Sequence, residues 1–239
     1  MENPIYIGVS RQVVLRRQMD LVANNIANMN TPGYRAQNMV FGEYVTDPRG
    51  NPDPVSMVYD VGQFQVTRQG PVKVTGNPLD VALNGPGYFG VQTPEGMRYT
   101  RAGNFERNVA GELVTPEGYP VASAGGGNII IPREAGNVKI SDSGFISTNE
   151  GQIGQLMVVE FENEQSLDPV GNNVYATEEQ GTPAVNTTVT QGAREGSNVQ
   201  SVLEITRMIE VLRDYQAVHR SVQSEHERQR SAIQTLTKQ

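Results

Sequence analysis

The sequence predicts an α+β fold. A helix stands at each end, the two pairing as a coiled coil or inner helical layer, and a central antiparallel β-domain of sandwich or barrel type lies between. Three observations predict it. Apolar residues recur at helical spacing near both termini. Short strand-like runs separated by turn residues fill the middle. No helix-length period falls between those runs, so the crossovers that a parallel sheet needs have no material.

The first helix is read over residues 5 to 29. Leu15, Met19, Val22, Ile26 and Met29 form a narrow stripe spaced 4, 3, 4 and 3, widened by Leu21 and Ala23. Extending the register backwards meets Ile5 but also Gly8 and Gln12, which weaken the first two turns. Asn24, Asn25 and Asn28 fall mostly off the stripe. They are either a frayed polar end or side chains that bond to a neighbouring backbone or chain. Thr31, Pro32, Gly33 and Tyr34 stop the pattern. Pro32 disfavours α geometry at Thr31, and Pro32-Gly33 suits the centre of a type II turn with Gly33 at positive φ. Helix and exit turn together take residues 1–35.

Residues 36–75 have no helical period and read as an extended linker with short strands. The turn-rich tract DPRGNPDP runs from Asp47 to Pro54, and strands are expected at Gln63–Thr67 and Val72–Thr75. Residues 76–195 read as the β-domain. LDVAL, YFGVQT, MRYTR, GELVT, YPVAS, NIIIP, VKI, QLMVVEF and AVNTTVT follow one another with turn signals every 8–12 residues or so.

Residues 196–239 form the C-terminal segment, helical from 198 to 236. Ser197 with Gln200 has the pattern of a capping box. Ile205, Met208, Leu212, Tyr215, His219, Val222, His226, Gln229, Ile233 and Leu236 keep 3/4 spacing throughout. Roughly 39 helical residues reach ~58 Å, too long for a small β-domain to cover. The helix needs a helical partner: the N-terminal helix, other copies of the chain, or both.

Composition narrows the function classes. Net charge is −7 over 239 residues, which disfavours nucleic acid and anionic membrane as general partners. No apolar run reaches the ~18 residues that direct membrane insertion requires. Met1 to Tyr6 carries no basic n-region, and Arg11, Arg16 and Arg17 interrupt any h-region, so no cleaved signal peptide is expected. The absence of Cys excludes disulfides, thiolate metal sites and Cys nucleophiles. His219 and His226 lie about 10 Å apart along a helix and cannot share a metal. They read as polar seam residues that set register, with a protonation switch as the alternative. The glycines of Ala124 to Gly127 precede no Gly-Lys-Ser/Thr, and neither GxSxG nor HExxH occurs. No catalytic residue, metal ligand or cofactor is therefore expected. Sticky helices flanking a β-domain are the layout of a subunit that polymerises through its ends.

Three stretches carry a resemblance. Met19 to Gln37 (MDLVANNIANMNTPGYRAQ) resembles the N-terminal signature of the bacterial flagellar rod and hook proteins. Ser197 to Gln223 is similar to their C-terminal signature, in which Ser-Asn-Val precedes a helix carrying Met-Ile and an Arg-x-Tyr step. Leu79 to Val121 is similar to the central β-region of the longer rod proteins. The modest length and charged SEHERQR resemble the proximal-rod type, with a distal-rod subunit as the alternative.

The resemblance implies a non-enzymatic subunit of the basal-body rod, a helical drive shaft that crosses the periplasm and transmits torque. Its implied partners are further copies of itself, short proximal-rod proteins below, the distal-rod protein above and the flagellar type III export apparatus. The terminal segments are then poorly ordered until assembly. The exit turn at Thr31–Tyr34 directs the chain outward, and Asn24, Asn25 and Asn28 bond between subunits. A reading from another class is a ligand-binding β-domain on a coiled-coil stalk. It requires a concave aromatic patch, which a chain with no Trp and few aromatics supplies poorly.

Overall fold

A computed structural model describes residues 3–46, 55–132 and 134–236; the expected turn tract Asp47 to Pro54 lies outside the described residues. The chain divides into two compact units. One comprises residues 1–27, 37–65 and 200–239, the other residues 28–36 and 66–199.

The first unit holds helix α1 (Asn3–Ala27), strands β1 (Gln37–Thr46) and β2 (Val55–Gln65), and helix α2 (Ser201–Leu236). The two helices pack against each other. They run antiparallel: Gly8 meets Val222, Gln12 meets His219 and Asn25 meets Glu204, so partner numbers fall as α1 numbers rise. α1 begins earlier than its sequence stripe suggested, and the contact explains why. A Cβ on Gly8 would lie 2.4 Å from a methyl of Val222, and Gln12 hydrogen-bonds the His219 ring at 3.1 Å. The two residues that weaken the apolar pattern are points of contact with α2.

α2 departs from expectation in two ways. It starts at Ser201, not 198, and the capping box does not form: Ser197 Oγ accepts from the Val199 N–H. Its inward face is also rotated. Glu204, Met208, Val211, Tyr215, Val218, Val222, Glu225 and Gln229 are the covered positions, again at 4/3 spacing, whereas Ile205, Leu212, His219 and His226 are exposed. Two interleaved heptad stripes share Met208, Tyr215, Val222 and Gln229, and sequence periodicity cannot say which one faces α1.

In place of an extended linker, β1 and β2 form a long antiparallel ribbon from Gln37↔Gln65 to Thr46↔Val55, with a bulge between Val40 and Phe41. The bulge and the glycines Gly42 and Gly62 break the alternation that would have revealed it. Phe41, Tyr44, Val45, Tyr59, Val61 and Phe64 remain substantially exposed.

The second unit is the β-domain. Its largest sheet has six strands, with Tyr88–Thr93 bonded to Gly96–Thr100 on one side and Val158–Glu160 on the other. Val81, Leu83, Phe89, Phe105, Leu113, Val121, Ile129, Ile146 and Leu156 form the main core. Phe89 and Phe105 meet edge-on at 5.1 Å, a favoured aromatic geometry. Tyr88, Phe161, Leu167 and Tyr175 make a second cluster. Every strand pairing among the described residues is antiparallel, and no sheet closes on itself, so the barrel form of the expectation does not hold. YFGVQT is a strand as expected, GELVT shrinks to Leu113–Val114, and YPVAS and NIIIP contribute isolated bridges. The hairpin Phe145–Thr148 with Gly151–Gln155 had no clear sequence signal.

Candidate assembly interface

The helix-bearing unit is held by a polar pin at the end of α1. Asn25 is fully buried. Its Oδ1 accepts from the Gln37 N–H at 3.0 Å, and its Nδ2 donates to the Gln37 carbonyl at 2.9 Å and to Glu204 Oε2 at 3.3 Å. Glu204, itself buried, accepts from Arg207 through its other oxygen at 3.0 Å, and Arg207 also donates to Asn38. One asparagine thus fixes α1, the first residue of β1 and the first turn of α2 in a single register. A buried amide with its bonds satisfied is stable, whereas one left unpaired costs about 1–3 kcal/mol. This partner set lies within the chain. Asn24 is exposed and Asn28 half-buried, with Asn28 accepting from the Thr31 hydroxyl.

On the stripe of α1, Leu15 and Val22 are buried while Met19 and Ile26 are half-buried; Ala23, expected to widen the stripe, is exposed. On α2, Met208, Tyr215 and Val222 are half-buried and Val211 is only 4% exposed. Val211 is the buried seam residue that sequence spacing passed over. Outward-facing apolar residues remain on both helices: Tyr6, Val9 and Val13 on α1, and Val202, Ile205, Ile209 and Leu212 on α2. The α2 set has 3, 4, 3 spacing, one continuous stripe along the helix. His219 stacks with Tyr215 at 6.2 Å on the flank of the helix and is not a buried seam residue.

The exit turn belongs to the β-domain unit. Tyr34 N–H donates to the Thr31 carbonyl at 3.3 Å with Gly33 at φ +69°, as a turn centred on Pro32-Gly33 requires. Asn173 Nδ2 donates to the Pro32 carbonyl at 2.6 Å, and the Gly33 N–H to the Glu195 carbonyl at 3.0 Å. A Cβ on Gly33 would lie 2.4 Å from the Ala102 nitrogen and 2.5 Å from the Arg101 carbonyl carbon. Thr31, Pro32 and Tyr34 are half-buried, and Gly33 is buried.

Next to the turn is a charge cluster that sequence reading missed. Arg35, Arg101 and Glu195 are each no more than 2% exposed. Glu195 Oε2 accepts from Arg101 Nε at 2.9 Å and lies 2.6 Å from its Nη2. Glu195 Oε1 lies 3.8 Å from Arg35 Nη2 and accepts from the Gly70 N–H at 2.9 Å. Arg101 also donates to the Gly85 and Gly87 carbonyls, and Arg35 to that of Thr67. The Arg101 guanidinium sits 5.6 Å over the Tyr88 ring. Burial pulls the Arg101 pKa down, and the Glu195 carboxylate pushes it back up. Removing one member would strand a buried charge, which typically costs 3–5 kcal/mol. The three residues lie far apart along the chain, and no local motif links them.

Three family models match: the flagella basal body rod protein over residues 5–35, the flagellar hook protein FlgE/F/G D1 domain over 82–148, and the flagellar basal body rod FlgEFG protein C-terminal over 190–235. The chain is 39% identical to the flagellar basal-body rod protein FlgF of Caulobacter vibrioides over 243 aligned positions, covering 100% of this chain and 99% of that protein. It is 33% identical to the FlgF of Rhizobium meliloti, covering 99% of this chain and 98% of that protein. Against the flagellar basal-body rod protein FlgG of Agrobacterium fabrum the identity is 36%, covering 83% of this chain and 86% of that protein.

Proposed function

The chain belongs to the flagellar basal-body rod protein family as a structural subunit of the rod, and from that premise we propose that it occupies the proximal rod and transmits torque across the periplasm. The full-length likeness to proteins named FlgF supports the proximal position over a distal one. Its partners are copies of itself and the rod subunits below and above. It reaches them through the flagellar type III export apparatus. Its role is mechanical, with no catalytic step and no cofactor.

The observation that carries this reading is the exposed stripe of Val202, Ile205, Ile209 and Leu212 on α2. An apolar stripe at heptad-like spacing on a helix that already packs against α1 has a second helix as its natural cover. Neighbouring subunits pack there as a coiled-coil inner layer, alongside Tyr6, Val9 and Val13 of α1. Burying the exposed half of each such side chain contributes about 1 kcal/mol. The contact is heterologous and repeats along a helix, so it builds an open filament. The ribbon adds a second apolar surface, where Tyr59 and Val61 lie over Gly42 beside the exposed Tyr44.

The natural chain has no cysteine, so a single Ile209→Cys substitution gives an unambiguous cross-linking site. In isolated basal bodies it should cross-link to neighbouring rod subunits. An Ile205→Asp, Ile209→Asp strain should export the subunit and fail to complete rods. Full-length rods and normal swimming in that strain overturn the proposal.

A further inference from the structure

Glu195 and Asn198 stand three residues apart, just before α2, and both are buried in the β-domain unit. Together they bind the three segments at which the chain enters or leaves that unit. Glu195 holds the exit turn through its carbonyl (Gly33 N–H) and its ion pair with Arg35, and it holds the segment after the ribbon through Gly70. Asn198 Oδ1 accepts from the Ala36 N–H at 2.7 Å, its Nδ2 donates to the Val66 and Arg68 carbonyls at 2.7 and 2.8 Å, and its own N–H donates to the Tyr34 carbonyl at 3.2 Å. Gly70 and Gly196 close the gap: a Cβ on Gly70 would lie 2.1 Å from the Gly196 carbonyl oxygen, and the Gly196 N–H donates to the Pro71 carbonyl.

We propose that Glu195 and Asn198 are positioning residues for assembly: they keep the exit turn and the roots of the ribbon and of α2 folded onto the β-domain in the unassembled subunit. The path of the chain through residues 33–36, 66–71 and 195–199 is then set within the β-domain unit before any neighbour arrives, and ordering these segments is not charged against the lattice contacts. The Ser-Asn-Val step ahead of α2 thereby has a physical task, carried by Asn198.

The test is amide hydrogen exchange by NMR on the full-length monomer. Gly33, Ala36 and Gly70 report the junction. Val81 and Val121, whose amides bond to the Gly103 and Leu113 carbonyls, report the core. In the wild-type monomer the junction amides should be protected. Glu195→Gln turns an NH₂ towards donors that need an acceptor, so the Gly70 amide, which donates to that carboxylate, should exchange at least about tenfold faster while Val81 and Val121 are unchanged; Gly33, which donates to the main-chain carbonyl of residue 195, should respond less. Asn198→Ala leaves the charge cluster in place and should release Ala36 alone. Unprotected wild-type junction amides overturn the proposal. So does acceleration of core and junction together, which marks a merely structural role, or an unchanged pattern in both variants. In cells, Glu195→Gln subunits should be exported yet complete fewer rods. That arm rests on the rod reading and the exchange arm does not, so failure of one is distinguishable from failure of the other.

Discussion

Gly33 illustrates how much a single position can carry. Turn chemistry alone demands positive φ and ranks Asn above Val as a replacement, because Asn tolerates left-handed backbone. The structure adds the backbone of Arg101 and Ala102 within 2.5 Å of any Cβ there. Backbone cannot yield as a side-chain tip can, so Gly33→Asn and Gly33→Val should both destabilise the purified monomer, by about 1–3 kcal/mol or more. Thermal unfolding checks this: both melting temperatures should fall by several degrees, and a near-native Gly33→Asn contradicts the contact. Tyr175 gives a pH prediction. Burial pushes its phenol up to about 12, although Arg35 nearby acts in the other direction. The unfolded phenol ionises near 10. The folded state therefore holds the proton longer, and its stability is intact below pH ~10 and lost as pH rises towards 12. Two pKa units correspond to about 2.7 kcal/mol. Urea midpoints should fall across that window, and fall less in Tyr175→Phe. Identical slopes for the two proteins count against the assignment.

At the scale of elements, α2 offers the sharpest contrast. Val211 faces α1 at 4% exposure and Leu212, next to it, is 41% exposed. Val211→Asp would bury a charge in the helix pair at a cost of about 3 kcal/mol or more. Leu212→Asp would meet water in the monomer and a neighbour only in the rod. Circular dichroism of the monomers should show helix loss for Val211→Asp and near-native signal for Leu212→Asp, while only the latter combines a folded subunit with failed assembly. The reverse pattern would restore the seam read from the sequence. The ribbon β1–β2 teaches a related lesson. A strand is recognised by alternation, alternation comes from one buried face, and a ribbon exposed on much of both faces has no such imprint.

For the whole molecule, the division into two units predicts what a protease can reach. Arg35, at 2% exposure inside the charge cluster, belongs to the β-domain unit although it lies close to α1 in sequence. The far end of α2, residues 230–236, is exposed throughout. Trypsin acting on the full-length monomer should cut first at Arg228 and Arg230 and then within the helices. It should leave a fragment that retains Arg35 and Arg101 uncut and extends back to Gln18, since no Lys or Arg lies between Arg17 and Arg35. Mass spectrometry of the fragments checks the boundary. Cleavage at Arg35 as fast as at Arg230 would mean that the exit turn is not part of the folded domain.

Local chemistry determined much of this protein from sequence alone. The two terminal helices, the antiparallel β-series between them, the Pro32-Gly33 turn and the signature stretches that mark the family all rest on residues close together in the chain. Their spacing obeys the helix period, the strand period or the φ preference of glycine. Tertiary structure decided the rest. Gly8 and Gln12, read as weaknesses of α1, are contacts because Val222 and His219 lie opposite. Asn25 is an internal pin because Glu204, 179 residues later, completes its bonds. The choice between two heptad stripes on α2 went to Val211 over Leu212. Arg35, Arg101 and Glu195 became one buried cluster. In each case the deciding energy comes from a partner distant in sequence, and a burial or pairing term has no local trace until the fold brings the two groups together.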